Sequence, residues 1–386
     1  MTAATLIDEL EQAQQYLHEL TARVGPEHYR RQFHPDLSPA GWHLGHCAWT
    51  EDYWIGEQAL GDTSHTRELA DLYIPARAPK AGRGTRLPDW DTLLEWSAER
   101  QRHNRGRLLV LIEKPHSHPL LRDAYLPRFL LQHVAQHCET VCLLLRQMQA
   151  CLDATVPADM VMPAARPLRR ARVTLPAGRY RIGSDPGQGA YDNELPGHEV
   201  FLNAVELAAG PVSNAEYLAF MQAGGYADDT QWDPQGQDWR RGHGCEAPEH
   251  WRRNDAGHWY EITVAGPTPL PAEAPVEGLS LHEARAFARW AGARLPHEYE
   301  WEATARLGLL QDQGRIWEWC ANPLHPYPGF CAYPYAGYSS AWFDGRHFVL
   351  KGGGRHTLAA VRRPGFRNFY QADKRHIGAG LRLAWD

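Results

Sequence analysis

Apolar residues recur at intervals of three and four along roughly the first 150 residues, which is the spacing of helices with one buried face. Ser38 followed by Pro39 is typical of an N-cap and a first helical residue, and it marks the start of the second helix. Four helices with one long connection between the second and third predict a four-helix bundle. Their expected spans are 6–20, 41–60, 88–109 and 122–152.

The pattern changes in the second part of the chain. Proline, alanine and arginine are frequent in residues 154–171, which we interpret as a linker. Short strand-like runs, turns and many glycines follow, with a strand-like run at 172–182 and helix-like segments at 213–223 and 280–291. The sequence therefore predicts an α+β protein with a helical first domain. The expected division is 1–153, 154–171 and 172–386.

Two histidines stand in the middle of the fourth predicted helix. His133 and His137 are four residues apart, so their imidazoles project from one face of the helix. Leu130, Val134 and Leu144 share that face, which therefore points toward the bundle core. A shared metal ion would satisfy both imidazoles, and so would hydrogen bonds to neighbouring core groups. The pair alone leaves both interpretations open.

A third inward imidazole is expected on the second helix. His46 falls on the same apolar stripe as Trp42, Trp49 and Tyr53. His43 could be the ligand instead, but its stripe runs into more polar positions. Three histidines from two helices, without an obvious cysteine or carboxylate, leave coordination positions open, which favours a catalytic over a structural site. Imidazole ligands suit zinc or ferrous iron, and the residues do not choose between them.

Composition narrows the class of protein. The 386-residue chain has a net charge of −6 with interspersed charges, which argues against nucleic-acid binding. No apolar run approaches the ~20 residues of a membrane span. Seven cysteines without regular spacing fit a reducing compartment, so we expect a soluble cytoplasmic protein with no obligate protein partner. The 15 Trp, 16 Tyr and 21 His suit a pocket for a cationic or ring-shaped small molecule.

Ordered motifs in the second half resemble the formylglycine-generating-enzyme-like domain, a variant of the C-type lectin fold. They lie at residues 176–183, 192–198, 211–217, 290–302 and 316–319. In the first half, WHLGH at 42–46 and HVAQH at 133–137 resemble the three-histidine site of DinB-like bundles. Together the halves resemble the ergothioneine sulfoxide synthase family, non-haem iron enzymes that join a chalcogen to the imidazole of hercynine (trimethylhistidine).

This resemblance implies a metal site and a catalytic residue. His46, His133 and His137 would hold Fe(II), with O2 as co-substrate. A later segment matches the part of the family that carries a catalytic tyrosine, and the alignment places that role on Tyr335, with Tyr338 close behind. A phenol there would donate a proton or a hydrogen atom. The alternative is that both tyrosines only line the pocket.

The resemblance also implies contacts to hercynine. Gln136, immediately before the last ligand, matches the glutamine that contacts the hercynine imidazole. Asn368 matches the asparagine near the carboxylate and ammonium end, and Phe369 stands where the family often has tryptophan. The Phe369 ring would hold the trimethylammonium group by cation–π attraction, more weakly than tryptophan would.

The donor site departs from the enzymes of this family that use γ-glutamylcysteine. Where those enzymes grip the donor's carboxylates with two arginines, this chain has Lys80 and Arg83. Tyr370 and Lys374, with Arg375 beside them, stand in place of an aspartate and an arginine. Loss of planar, bidentate guanidinium contacts argues against γ-glutamylcysteine as the donor. The chain looks more like the selenoneine synthase branch, whose donor is a selenosugar.

Other functions stay open beside this C–Se bond formation, which would give selenoneine. A sulfoxide synthase would form a C–S bond to cysteine or γ-glutamylcysteine. A copper-dependent formylglycine-generating enzyme needs a reactive cysteine pair, and Cys320 and Cys331 do not fall at that family's positions. A lectin-like module with structural zinc would use the histidines for folding alone, but the presence of Gln136 and the Asn368–Phe369 pair in the same chain argues against it.

Overall fold

The computed structural model describes residues 3–152, 163–168 and 171–386. Most of the predicted linker, 154–171, lies outside these residues, so its conformation stays a prediction. The chain divides into two compact units. The first unit comprises the helical part up to Leu152 with two short later segments, and the second comprises the rest.

The two later segments of the first unit are Gly187–Gly189 and His356–Val361. Both contact the last helix of the bundle. Gln132 Nε2 donates a hydrogen bond to the carbonyl of Gly189 (2.8 Å), and the Thr357 hydroxyl donates to Glu139 (2.8 Å). The helical unit is therefore completed by residues far along the chain.

The first unit is built from helices, and the predicted four-helix bundle is confirmed. The helices are α1 (Ala3–Val24), α2 (Ala40–Glu51), a π-helix that continues it (Asp52–Ala59), α3 (Ala70–Tyr73), α4 (Trp90–Ile112) and α5 (Tyr125–Cys151). Short 3₁₀ turns lie at Lys80–Gly82, Gly84–Arg86 and Pro119–Ala124. None of the described helices is long and apolar enough to cross a membrane.

Two predicted helix starts were wrong. Ser38 does not cap α2, since Pro39 occupies the N-cap position without a side-chain bond and the Ser38 hydroxyl accepts a hydrogen bond from Arg83 instead. The last helix begins at Tyr125 rather than at residue 122, because Asp123 and Ala124 have positive φ angles of 52° and 53°. Left-handed residues cannot continue a right-handed helix.

Burial explains the arrangement of the bundle. The α1 stripe of Leu6, Leu10, Leu17 and Leu20 is buried, and α1 packs against α5. All twelve residues of α2 are buried, so this helix has no solvent-facing side. A helix surrounded in this way does not show the alternation of apolar and polar faces expected of a surface helix.

The second unit combines small sheets with four helices, which confirms the α+β class. Its sheets have the strand orders β1–β4–β12, β10–β9–β8–β11, β2–β3 and β5–β6–β7. The strands are β1 (Arg172–Leu175), β2 (Gly178–Ile182), β3 (His198–Leu202), β4 (Val205–Ala208), β5 (Trp251–Arg253), β6 (Trp259–Thr263), β7 (Gly266–Pro269), β8 (Trp317–Pro323), β9 (His347–Lys351), β10 (Asn368–Gln371), β11 (Ala379–Gly380) and β12 (Ala384–Trp385). The helices are α6 (Asn214–Gln222), α7 (Pro234–His243), α8 (Leu281–Trp290) and α9 (Glu298–Arg306).

Local capping signals set several of these helices. Ser213 and Ser280 each accept a hydrogen bond from the backbone N–H three residues later and so form capping boxes with Glu216 and Glu283. The helices predicted near 213–223 and 280–291 are therefore confirmed. The core of the unit packs Trp301 of α9 with apolar residues of β1, β2, β4, β8, β9 and β12.

Candidate metal centre

Three histidines of the first unit converge in the bundle. His46 of α2 and His133 and His137 of α5 each bring one ring nitrogen to within 4.8 Å of the other two. The Nε2 atoms of His46 and His133 are 3.3 Å apart. Two imidazole nitrogens that bind one ion at about 2.0–2.1 Å lie roughly 3.0–3.4 Å from each other. The cluster therefore fits a single metal ion.

Hydrogen bonding fixes the orientation of His46. Its Nδ1–H donates to the backbone carbonyl of Tyr73, at the C-terminal end of α3 (2.8 Å). This bond assigns the proton to Nδ1 and leaves the Nε2 lone pair directed at the other two histidines. Such a bond to the second nitrogen is what metal-binding imidazoles usually make.

Electrostatics keeps the cluster neutral. Burial lowers the pKa of His46 to about 4. The pKa values of His133 and His137 lie well below the usual range, first because of burial and then because of the neighbouring imidazoles. Neutral imidazole is the form that binds a metal ion, so all three histidines can coordinate a metal at neutral pH.

His43 is a functional neighbour that sequence reasoning placed wrongly. Its stripe was expected to be polar, yet His43 is buried, because α2 is surrounded by protein on every side. His43 Nδ1 shares a 2.8 Å hydrogen bond with Nδ1 of His137. That bond leaves the second nitrogen of His137 for a metal ion, so His43 stands directly behind a ligand.

Trp42 and Arg83 form a second layer behind His46. The Trp42 ring lies 4.5 Å from the His46 imidazole, with 11° between their planes. The Arg83 guanidinium lies 3.8 Å from the centre of the Trp42 ring. The sequence placed Trp42 on the same stripe as His46, but nothing in it indicated that Arg83 reaches this stack.

Arg83 and Lys80, the two donor-site candidates of the first unit, differ in exposure. Arg83 is only 4 % exposed, and its nitrogens donate to the carbonyls of Ala78 and Pro75 and to the Ser38 hydroxyl. Lys80 is exposed and donates to a backbone carbonyl. The role of Lys80 at a donor stays a prediction, whereas the contacts of Arg83 are those of an internal residue.

The remaining predicted residue of this unit is Gln136. It lies on α5 between the two histidines and is half-buried. Its backbone carbonyl accepts a hydrogen bond from the Thr140 hydroxyl (2.9 Å). Contact between its side chain and a substrate stays a prediction.

In the second unit the two tyrosine candidates have different surroundings. Tyr335 is 44 % exposed. Tyr338 is half-buried and stacks on the ring of the buried Tyr191, with 4.2 Å between ring centres and 19° between planes. A catalytic phenol must be reachable, and this favours Tyr335 over Tyr338.

Strand β10 brings three other candidates together. Asn368, Phe369 and Tyr370 are consecutive and half-buried, and β10 is an edge strand that pairs with β9. The Phe369 ring has aromatic neighbours, with Trp342 at 6.1 Å and His347 at 6.2 Å between ring centres. An aromatic surface therefore exists at the position where a trimethylammonium group is expected.

The basic pair after β10 is mostly engaged within the unit. Lys374 lies 3.3 Å from Asp373. Arg375 binds Glu283 with two nitrogens (2.9 Å each) and Glu249 with a third (3.0 Å). These contacts are those of an internal ion-pair network, while a role for either residue at the donor stays a prediction.

Sequence comparison places the chain among known proteins. It is 31 % identical to the hercynine oxygenase of Mycolicibacterium smegmatis, over 99 % of both chains. The chain belongs to the hercynine oxygenase family. A second member, from Mycolicibacterium thermoresistibile, is 30 % identical over 92 % of this chain and 89 % of its own length.

Each of the two units of this chain also matches a known domain family. Residues 9–141 match the DinB superfamily, and residues 157–313 and 305–386 match the sulfatase-modifying factor enzyme 1-like domain. The formylglycine-generating enzyme of Streptomyces coelicolor is 35 % identical over 41 % of this chain and 53 % of its own length. In this chain Cys320 is buried and Cys331 is exposed, and both are free thiols.

Proposed function

We propose that this protein is a non-haem Fe(II) enzyme that uses O2 as the oxidant to replace a C–H bond of the hercynine imidazole by a C–Se bond to a selenosugar. Cleavage of the bond between selenium and the sugar then gives selenoneine. The observation that carries the proposal is the cluster of three neutral, inward-facing imidazoles on α2 and α5. The likeness to hercynine oxygenases over the whole chain supports hercynine as the substrate.

The protein residues have separate tasks in this proposal. Iron bound to His46, His133 and His137 would supply redox chemistry and O2 activation. Gln136 orients the hercynine imidazole from the same helix as two of the ligands. Phe369 faces the trimethylammonium group, and Tyr335 supplies a proton or a hydrogen atom. Holding both substrates in one orientation is the main contribution of the protein.

The surroundings of the basic residues support a donor other than γ-glutamylcysteine. The Arg83 guanidinium is buried and occupied by hydrogen bonds. Arg375 is bound to two carboxylates. A dipeptide with two carboxylates favours bidentate guanidinium partners, whereas a neutral sugar does not require them. Carbon–sulfur bond formation with cysteine or γ-glutamylcysteine is the alternative outcome of the same experiment.

The test loads the metal-free protein with Fe(II) without oxygen, adds hercynine, and then admits air with a selenosugar, γ-glutamylcysteine or cysteine. Products are read by mass spectrometry. We expect a selenium-bearing hercynine adduct with the selenosugar alone. A sulfoxide adduct with a thiol donor would retain the iron chemistry and contradict the selenium assignment. No adduct with any donor, together with tight zinc binding, would favour the non-catalytic alternative.

Matched tyrosine variants test the catalytic assignment. Tyr335→Phe should lower turnover by about 100-fold or more if the phenol transfers a proton. Tyr333→Phe, at a neighbouring and similarly exposed tyrosine (37 % against 44 %), is the control and should retain turnover. Loss of turnover in Tyr338→Phe but not in Tyr335→Phe would move the role to Tyr338.

A further inference from the structure

Three planar groups are stacked in the first unit, and one end of the stack is a metal-ligand candidate. The His46 imidazole lies against the Trp42 ring at 4.5 Å, nearly parallel to it. The Arg83 guanidinium covers the Trp42 ring at 3.8 Å. A guanidinium over an indole face is an attractive contact that gains strength when water is excluded.

Adjacent backbone carbonyls hold both rings of the stack. Trp42 Nε1 donates to the Leu72 carbonyl (2.8 Å), and His46 Nδ1 donates to the Tyr73 carbonyl (2.8 Å). Hydrogen bonds at the ring edges and stacking on the ring faces together restrict the plane of the His46 imidazole. Orientation of a ligand ring affects both metal affinity and the geometry at the metal.

Hydrogen bonds and burial hold the Arg83 side chain over the Trp42 ring. It is 4 % exposed and donates to the carbonyls of Ala78 and Pro75 and to the hydroxyl of Ser38. No carboxylate pairs with it in the part of the chain that the structure describes. A buried cation is costly without compensation, so the three acceptors and the indole face are what keep Arg83 inside.

We propose that Arg83 is a positioning residue for the metal centre, which acts through Trp42 on the ring orientation of His46 and does not contact the donor substrate. This inference rests on the proposed function only in taking His46, His133 and His137 as metal ligands. Under this proposal, residues 72–83 help to orient a metal ligand and do not bind a carboxylate of the donor.

The test uses Co(II) as a probe of the three-histidine site, in the full chain and without substrates. Arg83→Met removes the guanidinium and retains an apolar stem. Arg77→Met, in the same segment, is the control because Arg77 is exposed and only pairs with exposed Asp71 at 3.4 Å. The Co(II) dissociation constant is measured by competition with a chelator, and the visible absorption bands report ligand geometry.

We expect Arg83→Met to weaken Co(II) binding by about 10-fold or more and to shift the visible bands. Arg77→Met should stay within about 2-fold of the original protein, with its spectrum unchanged. Arg83→Lys retains the charge but has no planar face, so it should not restore the original spectrum.

Unchanged Co(II) affinity and spectrum in folded Arg83→Met would overturn the proposal. If circular dichroism shows that Arg83→Met does not fold, Arg83→Lys decides, and an original spectrum and affinity there would overturn the proposal. Original protein that binds Co(II) but forms no product from hercynine would contradict the proposed function alone.

Discussion

In the second unit fully buried charged side chains pair with one another, whereas the first unit buries a cluster of neutral imidazoles and an acid, Glu51, that has no ion-pair partner among the described residues. Arg382 and Glu318 are both fully buried and lie 2.7 Å apart. Lys351 and Glu302 are likewise fully buried at 2.9 Å. Pairing offsets much of the cost of removing each charge from water. The second unit therefore uses buried charge as part of its framework.

Both units also contain buried polar atoms without a hydrogen-bond partner among the described residues, and in the second unit these include Trp239 Nε1 and the Tyr327 hydroxyl. Nε2 of His43, the Tyr73 hydroxyl and Oε2 of Glu51 are buried and find no hydrogen-bond partner among the described residues. In the first unit Arg100 and Asp52 form a buried ion pair at 2.6 Å, and Asp52 is next to Glu51 in sequence. Unpartnered buried groups lower stability, and proteins retain them where chemistry needs them. The bundle therefore holds the candidate metal ligands, whereas fully buried ion pairs stabilise the second unit.

Breaking a buried pair of the second unit should have the largest effect. Arg382→Met leaves Glu318 buried without its guanidinium partner, so we expect a loss of about 3–5 kcal/mol in the free energy of unfolding. Urea unfolding followed by tryptophan fluorescence measures this. Arg172→Met is the control, since its pair with Glu206 is exposed and should contribute less than about 1 kcal/mol. Equal losses in both variants would contradict the framework role.

Neutralising Glu51 should stabilise the protein, because this buried acid accepts a hydrogen bond from Gln14 (2.7 Å) but has no ion-pair partner among the described residues. Burial raises the pKa of Glu51 from 4.5 to about 8, so ionisation destabilises the folded state as pH rises through this range. Glu51→Gln should therefore stabilise the protein by about 2–4 kcal/mol at pH 8, and the gain should disappear as pH falls toward 4.5. Unfolding in urea at several pH values measures it.

Asp52→Asn is the matched control for this second prediction. Asp52 binds Arg100 at 2.6 Å, so losing its charge should destabilise the protein rather than stabilise it. Stabilisation by both substitutions, or a gain from Glu51→Gln that persists below pH 4.5, would show that Glu51 is not buried as a neutral acid.

Removing the imidazole behind His137 should have a moderate effect on metal binding. His43→Phe retains the ring volume but deletes the 2.8 Å bond to Nδ1 of His137, so metal affinity should fall by about 10-fold. Competition with a chelator measures the change. His18→Phe removes a histidine of the same unit that bonds Gln101 at 2.9 Å and should leave metal affinity intact. Equal affinities for the two variants would exclude a supporting role of His43.

Loss of the Ser213 N-cap should have the smallest effect on the free energy of unfolding. Ser213→Ala removes the acceptor for the Glu216 backbone N–H at the start of α6 and should cost about 1 kcal/mol of unfolding free energy. Ser213→Thr retains a hydroxyl and should recover most of that loss. If Ser213→Ala costs as much as Arg382→Met, local caps rather than buried ion pairs stabilise the second unit.

Features encoded by nearby residues were predictable from the sequence. The spacing of His133 and His137 along α5 gave a shared face, and their ring nitrogens meet those of His46. The helix-like segments predicted at 213–223 and 280–291 also match α6 and α8, and the structure shows that Ser213 and Ser280 cap them. In each case the signal lies within four residues, where helix geometry alone relates the side chains.

Features that depend on distant residues were not predictable. Arg83 meets Trp42 across 41 positions, and no local pattern distinguishes its guanidinium from one that binds substrate. His43 was assigned to a polar stripe because the rule for amphipathic helices assumes one solvent-facing side, which α2 does not have. Arg375 was predicted as a substrate-binding residue, because its two glutamate partners lie more than 90 residues away in sequence and no local pattern indicates them.

The complete burial of α2 also has a kinetic consequence. A segment with no exposed side cannot open by fraying into water, so its amide protons exchange with solvent only when the whole bundle unfolds. The backbone that carries His46 would then hold the same conformation with and without metal. The rate of deuterium uptake over residues 40–51 would thus report global unfolding of the unit. Metal binding would lower this rate only by stabilising the entire unit.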